Sequence, residues 1–301
     1  MTAELFQQIS AHGAAVNLSS RTKLRLTGAD RVRYLNGQVT NDVRQVKPTE
    51  TLYACVTDVK GRIAGDVFAH AEGESLLLDA EEGLRETLSM RLERYIVADD
   101  VELADVTEEW QLWHVWGDEG TPARIEAVLS GQECPHHLLQ STRYGVPGID
   151  LWLPASAPAP TFTPLPVLTD AALETWRILQ KIPRWPHELN AETFPPEAGL
   201  ESKAMNFSKG CYIGQEVLSR IKTTGKMPRE MIAWQMQKQG DIVKVGDVIR
   251  GVPNSANLSS IGIVTSVTIG PETGKHCGLG FVKQGAKFDM LQLPSGFAQR
   301  C

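Results

Sequence analysis

The residues best suited to chemistry sit in one octet. "KGCYIGQE", residues 209–216, places Cys211 beside Lys209, between Gly210 and Gly214, and ends in Gln215-Glu216. A cysteine can be a small buried hydrophobe, a soft metal ligand, a nucleophile or a redox thiol. Lys203, Lys209, Arg220 and Lys222 lie close to it in the chain, and "GQEVLSRI" predicts a helix beginning at Gln215. Nearby cations and a helix N-terminus both favour thiolate chemistry. Cys211 and Lys209 are therefore candidate catalytic residues, with Lys209 as thiolate partner or anion contact. Gly210 and Gly214 allow a positive φ or a close backbone approach. Tyr212 completes the motif. Gln215 and Glu216 either belong to the site or simply open the helix, where an acid suits the dipole.

Other chemistries lack support. The five cysteines form no Cys-x-x-Cys pair, which argues against a disulfide framework and a four-thiolate zinc site. "CPHH" at 134–137 and His276-Cys277 offer adjacent groups without the spacing of a closed metal site. Hydrolase, NTPase and dinucleotide fingerprints are absent from the sequence. With 42% hydrophobic and 22% charged residues and a net charge of −6, the chain reads as a globular protein with no expected direct nucleic-acid or membrane binding. "MTAELFQQISAHG" predicts an amphipathic helix rather than a signal peptide, and no apolar run reaches membrane-spanning length, so a cytoplasmic location is expected.

The elements that must position the octet follow from periodicity. Residues 14–27 alternate as one or two strands, and 29–36 predict a short helix that Gly37 ends. "TLYACVTD" and "RIAGDVFAHA" flank "VKG" as a hairpin, and "SLLLDA" makes a third strand. Leu84, Leu88, Leu92 and Tyr95 share one helical face. Residues 110–153 repeat the theme as two strands around a helix near 121–130. "PASAPAPTFTPLP" is an extended connector, a helix follows near 169–181, and 184–212 read as irregular chain pinned by packing or a ligand. Six tryptophans from Trp113 to Trp234 (with Trp116, Trp152, Trp176 and Trp185) are expected in cores. After residue 229, short strands separated by Gly and Pro predict a small β-barrel or sandwich.

Three segments together resemble the YgfZ-type folate-binding proteins, relatives of the glycine-cleavage T-protein (aminomethyltransferase). They are "LTGADRVRYLNGQVTNDV", "YACVTDVKGRIAGDV" and "PPEAGLESKAMNFSKGCYIGQEVLSRIKTTGK", of which the octet is the most specific. The resemblance implies an α+β class: a T-protein-like folate-binding body of two intertwined subdomains with a C-terminal β-barrel. The implied boundaries are 1–228 for the body (1–105 with 167–228, and 106–166) and 229–301 for the barrel.

The resemblance also implies a tetrahydrofolate pocket, or one for a one-carbon-substituted folate. Asp66 is the candidate contact to pterin or folate nitrogens, with a strand-end carboxylate as the plain alternative. Tyr53 is expected to stack on or border the pterin, or to be a strand aromatic. Gln38, Asn41 and Asp42 line the pocket or form turns. Arg21, Lys23, Arg25, Arg31 and Arg33 either meet a folate's glutamyl carboxylates or form a solvated face. T-proteins usually carry two adjacent acids where this chain has Gly65-Asp66, and a pterin-reading glutamate where "WRILQK" places Leu179. These departures imply impaired aminomethyl transfer. The family's association is with assembly or repair of iron–sulfur enzymes and the tRNA thiomodification that depends on them, so the implied partners are those enzymes or their assembly factors. A folate-dependent aminomethyl or one-carbon transferase is the alternative, and a protein-binding scaffold with a vestigial folate site a third.

Overall fold

In a computed structural model, which describes residues 1–130, 134–252, 259–286, 288 and 290–301, the chain builds two packed sheets and a closed barrel. Helix α1 (Ala3–His12) is capped by the Thr2 hydroxyl, which accepts from the Leu5 N–H at 3.2 Å. It leads into β1 (Gly13–Asn17), followed by β2 (Thr22–Thr27) and α2 (Arg31–Gln38). Gly37 does not end α2. It lies inside the last turn, and the helix stops one residue later against extended Val39. Then come β3 (Leu52–Thr57), β4 (Ile63–Glu72), β5 (Ser75–Ala80), α3 (Arg85–Glu93) and β6 (Glu102–Asp105). These strands form a five-stranded sheet in the order β3-β4-β5-β2-β6. Leu84, Leu88 and Leu92 are fully buried against it, as their spacing of four requires. Each such leucine contributes about 1.5–3 kcal/mol by leaving water.

The second sheet has the order β1-β7-β9-β8, from β7 (Trp110–Gly117), β8 (His137–Ser141) and β9 (Gly148–Pro154), with α4 (Thr121–Leu129) between β7 and β8. Strand β8 was not evident from periodicity, because "HLLQS" is short and follows the polar "CPHH". Strand β1 pairs along its whole length with β7, so the first strand of the chain lies in the sheet of the middle segment. The proline-rich connector runs back to it: Ala15 donates to Pro166 O at 2.9 Å and accepts from the Leu168 N–H at 2.9 Å.

Helix α5 (Asp170–Leu179), the four-residue α6 (Glu201–Ala204) and α7 (Gln215–Thr224) complete the body. The irregular stretch around them is pinned by packing, with Glu188, Leu189, Phe194 and Glu197 buried. The barrel closes in the order β10-β13-β12-β11-β14-β15. Its strands are β10 (Arg229–Met236), β11 (Val248–Val252), β12 (Ser259–Ile269), β13 (His276–Lys283), β14 (Met290–Leu293) and β15 (Gly296–Arg300). Buried Glu188 joins it to the body by accepting from Thr265 and Ser266 hydroxyls of β12, both at 2.6 Å. Arg177 donates to Ser266 Oγ at 2.7 Å and to Glu188 Oε2 at 2.9 Å. Among the described residues, no helix is long and apolar enough to cross a membrane.

Candidate functional site

A cleft of about 430 Å³ opens between the two sheets and α5. Tyr53, Asp66 and Phe68 supply its floor from β3 and β4. Asp170, Leu173, Glu174 and Arg177 supply one wall, a single face of α5 at helical spacing. Arg143 and Tyr144 enter from the turn between β8 and β9, and Arg21, Glu81, Arg184 and Lys203 come from four further segments.

Asp66 is the chemical centre of this floor. Its Oδ2 accepts from the Tyr53 hydroxyl at 3.0 Å, whereas its Oδ1 is buried without a partner. Burial pushes the Asp66 carboxyl up to about 6, against the pull of Arg21 and the Tyr53 hydrogen bond; Glu81 and Asp79 push the same way as burial. The Tyr53 phenol is pushed well up, first by burial and then by the Asp66 charge. A half-satisfied carboxylate in a 430 Å³ cleft suits a ligand that presents N–H donors. A pterin ring with amino and ring N–H groups fits that chemistry, and Asp66 is the residue that would hold it.

Two other acids of the cleft, Glu174 and Glu81, are spoken for. Glu174 accepts from Arg177 Nε at 2.7 Å and from Arg184 at 3.3 Å, and Glu81 pairs with Arg21 at 2.5 Å and Arg184 at 3.2 Å. Beneath the floor, Arg143 bridges Asp79 and Asp150. It donates twice to Asp79 at 3.0 Å and also contacts Asp150 through Nε at 3.0 Å and through Nη2. Asp150 in turn meets His114 Nδ1 at 2.6 Å. Burial is the largest effect and pushes both carboxyls up, but Arg143, together with Arg21 at Asp79 and His114 at Asp150, holds both below the usual range.

The adjacent pair Gly65-Asp66 points to opposite faces of β4, as successive strand residues must. A Cβ at Gly65 would meet Leu84 Cδ1 at 3.1 Å, on the core side under α3. The missing acid at position 65 therefore removes nothing from the cleft, contrary to the expectation drawn from the sequence. Leu179 does not line the cleft; α5 presents Glu174 there instead.

The octet lies elsewhere. Cys211 is exposed and is not among the cleft-lining residues. Lys209 is buried, and its ammonium donates to Asn36 O at 2.7 Å, Val39 O at 2.8 Å and Asn41 O at 2.6 Å. All three N–H donors are used on carbonyls at the C-terminal end of α2, where a cation also suits the helix dipole. Lys209 is thus a clamp rather than a thiolate partner. Burial lowers its ammonium to about 8 against the opposing pull of Asp42. Tyr212 packs inward with Phe194, Met205, Leu218 and Ile221, its hydroxyl buried without a partner.

Gly214 is the N-cap of α7 at φ +86, and a Cβ there would fall 2.6 Å from Asp58 O and 2.9 Å from Gly61 Cα. The β3–β4 hairpin and the octet thus meet glycine to glycine. Ile213 ties them further, donating to Gly37 O at 3.1 Å and accepting from the Thr57 hydroxyl at 2.5 Å. Gly210 has no positive φ and open space around its Cβ position, so neither reason for a glycine applies there. Gly214→Ala is expected to cost about 2–3 kcal/mol, and Gly210→Ala less than about 0.5 kcal/mol, in urea denaturation. Equal costs would contradict this division. Gln215 and Glu216 open α7, with Glu216 exposed in its first turn.

Of the expected pterin-side contacts, the cleft brings together Asp66 and Tyr53. Gln38 accepts from Arg91 at 3.0 Å, away from the cleft. Asn41 donates to Tyr53 O at 2.9 Å, which makes it a support of the floor. Asp42 caps the following turn and holds Arg44 at 2.8 Å. Of the five basic residues from Arg21 to Arg33, only Arg21 reaches the cleft. Lys23 is buried on backbone carbonyls, Arg25 pairs with Glu72 and Glu109, Arg31 donates to Gly28 O, and Arg33 pairs with Asp30 and Asp99. Arg143, Glu174 and Arg184 were missed. The 170/173/174/177 spacing on α5 was the one available signal for Glu174.

Body and barrel together have a T-protein-like fold, and residues 2–129 match the family described as the GCVT N-terminal domain. The crystal structure of glycine cleavage system aminomethyltransferase T from Bartonella henselae shares the fold, with a TM-score of 0.80, 17% identity, and coverage of 98% of this chain and 86% of that one. Among curated relatives, an aminomethyltransferase of Rubrobacter xylanophilus is 25% identical, covering 92% of this chain and 77% of its own. A tRNA-modifying protein YgfZ of Hamiltonella defensa is 29% identical, covering 75% and 70%. A mitochondrial iron-sulfur cluster assembly factor IBA57 homolog of Chaetomium globosum is 25% identical over 81% of this chain, which spans only 60% of that relative's length.

Proposed function

We propose that this protein binds tetrahydrofolate in the cleft and supports assembly or repair of iron–sulfur enzymes in the cytosol, and through them tRNA thiomodification. The observation that carries the folate half is Asp66, whose buried Oδ1 is left without a protein partner at the floor. The names of the relatives, which include an iron-sulfur cluster assembly factor and a tRNA-modifying protein, support the other half. In this reading Cys211 is the thiol offered outward to an iron–sulfur enzyme or its assembly factor, because it is exposed and apart from the cleft.

A folate-dependent aminomethyl transferase is the second reading. It is favoured by the finding that the empty position at Gly65 faces the core, so the cleft retains the acid that such chemistry needs. Two experiments separate the readings. Calorimetric titration with tetrahydrofolate is expected to give saturable heat; no heat at millimolar ligand would remove the folate half. In cells lacking this chain, Cys211→Ser is expected to fail to restore an iron–sulfur tRNA-thiolating enzyme. Full restoration, together with turnover of a methylene donor by the purified protein, would favour the transferase.

A further inference from the structure

The Tyr53–Asp66 hydrogen bond is buttressed from the second sheet. Tyr53 and Phe68 are cross-strand partners, and their rings stack at 4.5 Å and 22°. The Arg143 guanidinium carbon lies 4.0 Å from the Phe68 centroid. One face of a phenyl ring cannot hold both groups at such distances, so Phe68 is sandwiched between them. Arg143 is itself immobile, fixed by its bonds to Asp79 and Asp150. The order is therefore Arg143, Phe68, Tyr53, Asp66, running from the β8–β9 turn to the cleft floor.

We propose that Phe68 and Arg143 are positioning residues that act on Asp66 through the Tyr53 hydroxyl, holding one carboxylate oxygen occupied and the other open to the ligand. This rests on the folate reading for the ligand's identity, but the positioning is testable without any ligand. The titratable and charged groups facing Asp66 are Tyr53 and Cys55 from β3, Asp79 from β5, Glu81 after it, and Arg21 before β2. Cys55 and Tyr53 stay protonated, pushed up first by burial. Among these groups, the Tyr53 phenol is the one whose loss withdraws a hydrogen bond from the carboxylate, so that loss moves the Asp66 titration upward.

The test is a carbon-13 NMR titration of the Asp66 carboxyl in the full-length protein. Tyr53→Phe is expected to raise its midpoint by about one pH unit, the effect of one lost charge-assisted hydrogen bond. Phe68→Leu is expected to raise it by part of that. The double variant is expected to match Tyr53→Phe alone, because Phe68 acts through the phenol. A midpoint that Phe68→Leu leaves unmoved or lowers, or a shift that adds in the double variant, would overturn the proposal. Arg143→Lys keeps the charge but loses the planar fork, and is expected to move the midpoint in the same direction; no movement would confine the positioning role to Phe68 and overturn it for Arg143. In tetrahydrofolate titrations, the weakening of both β-strand variants relative to wild type is expected to be smallest at alkaline pH, where Asp66 is ionised throughout, and to grow as the pH falls. They are expected to lose affinity at a higher pH than wild type does as the solution is acidified. Equal weakening at every pH would mark a simple contact role and overturn the proposal. Wild-type protein that binds no tetrahydrofolate would defeat the folate reading alone, and the NMR titration would still decide the positioning.

Discussion

Asp66→Asn is expected to bind tetrahydrofolate about 30-fold more weakly, the loss of a charge-assisted hydrogen bond at its one open oxygen, and yet to be the more stable protein near neutral pH. The two effects share one cause. Burial raises the native Asp66 carboxyl to about 6, so the folded state holds this proton more tightly than the unfolded chain. Stability is then lost as pH rises from the unfolded value of about 4 through the native one, and the full cost is present above it. Asparagine keeps the shape and still accepts from Tyr53 without that ionisation cost. A gain of about 1–2 kcal/mol is expected near neutral pH, shrinking to nothing near pH 4. Urea denaturation at the two pH values, paired with calorimetry, measures both effects. A variant equally destabilised at both would mean that Asp66 is a structural carboxylate.

Arg143→Ala is expected to be the most damaging of the substitutions considered. It strips the shared cation from Asp79 and Asp150, both buried, and leaves Arg21 and His114 to compensate. Removing one member of such a network costs about 3–5 kcal/mol, because a buried charge is left uncompensated. The sign of its pH dependence is distinctive. With Arg143 present, both carboxyls sit below their usual range and their contribution fades as pH falls through those values. Without it, protonating the stranded carboxylates relieves the variant, so the deficit relative to wild type is expected to narrow in mild acid. A deficit that denaturation shows to be independent of pH would point to lost packing on Phe68 instead.

Much of the local structure was legible in the sequence. The hairpin around Gly61, the leucine face of α3 and the strand-rich barrel each carry a period or turn chemistry that short-range physics enforces. The cleft was less legible, for a physical reason. Its floor pair, Asp66 and Tyr53, stood on a strong strand pattern and a family motif. Arg143, Glu81 and Arg184 reach it from segments far apart in the chain, and long-range ion pairs leave no local period. Lys209 illustrates the opposite failure: adjacency to Cys211 suggested a shared site, but the side chain turns inward to α2. Gln38, Asn41 and Asp42 were likewise drawn in by residue type, and each satisfies a backbone or an arginine instead.

The pairing of β1 with β7 has a consequence for how the protein is made. A ribosome delivers Gly13–Asn17 early, but its partner Trp110–Gly117 follows about a hundred residues later, roughly 5–20 seconds at ordinary rates of synthesis. Every strand of the five-stranded sheet is complete before then. That sheet can therefore assemble while the apolar β1 ribbon waits unpaired beside it. The nascent chain passes through a stage in which half of the cleft exists and its opposite wall does not.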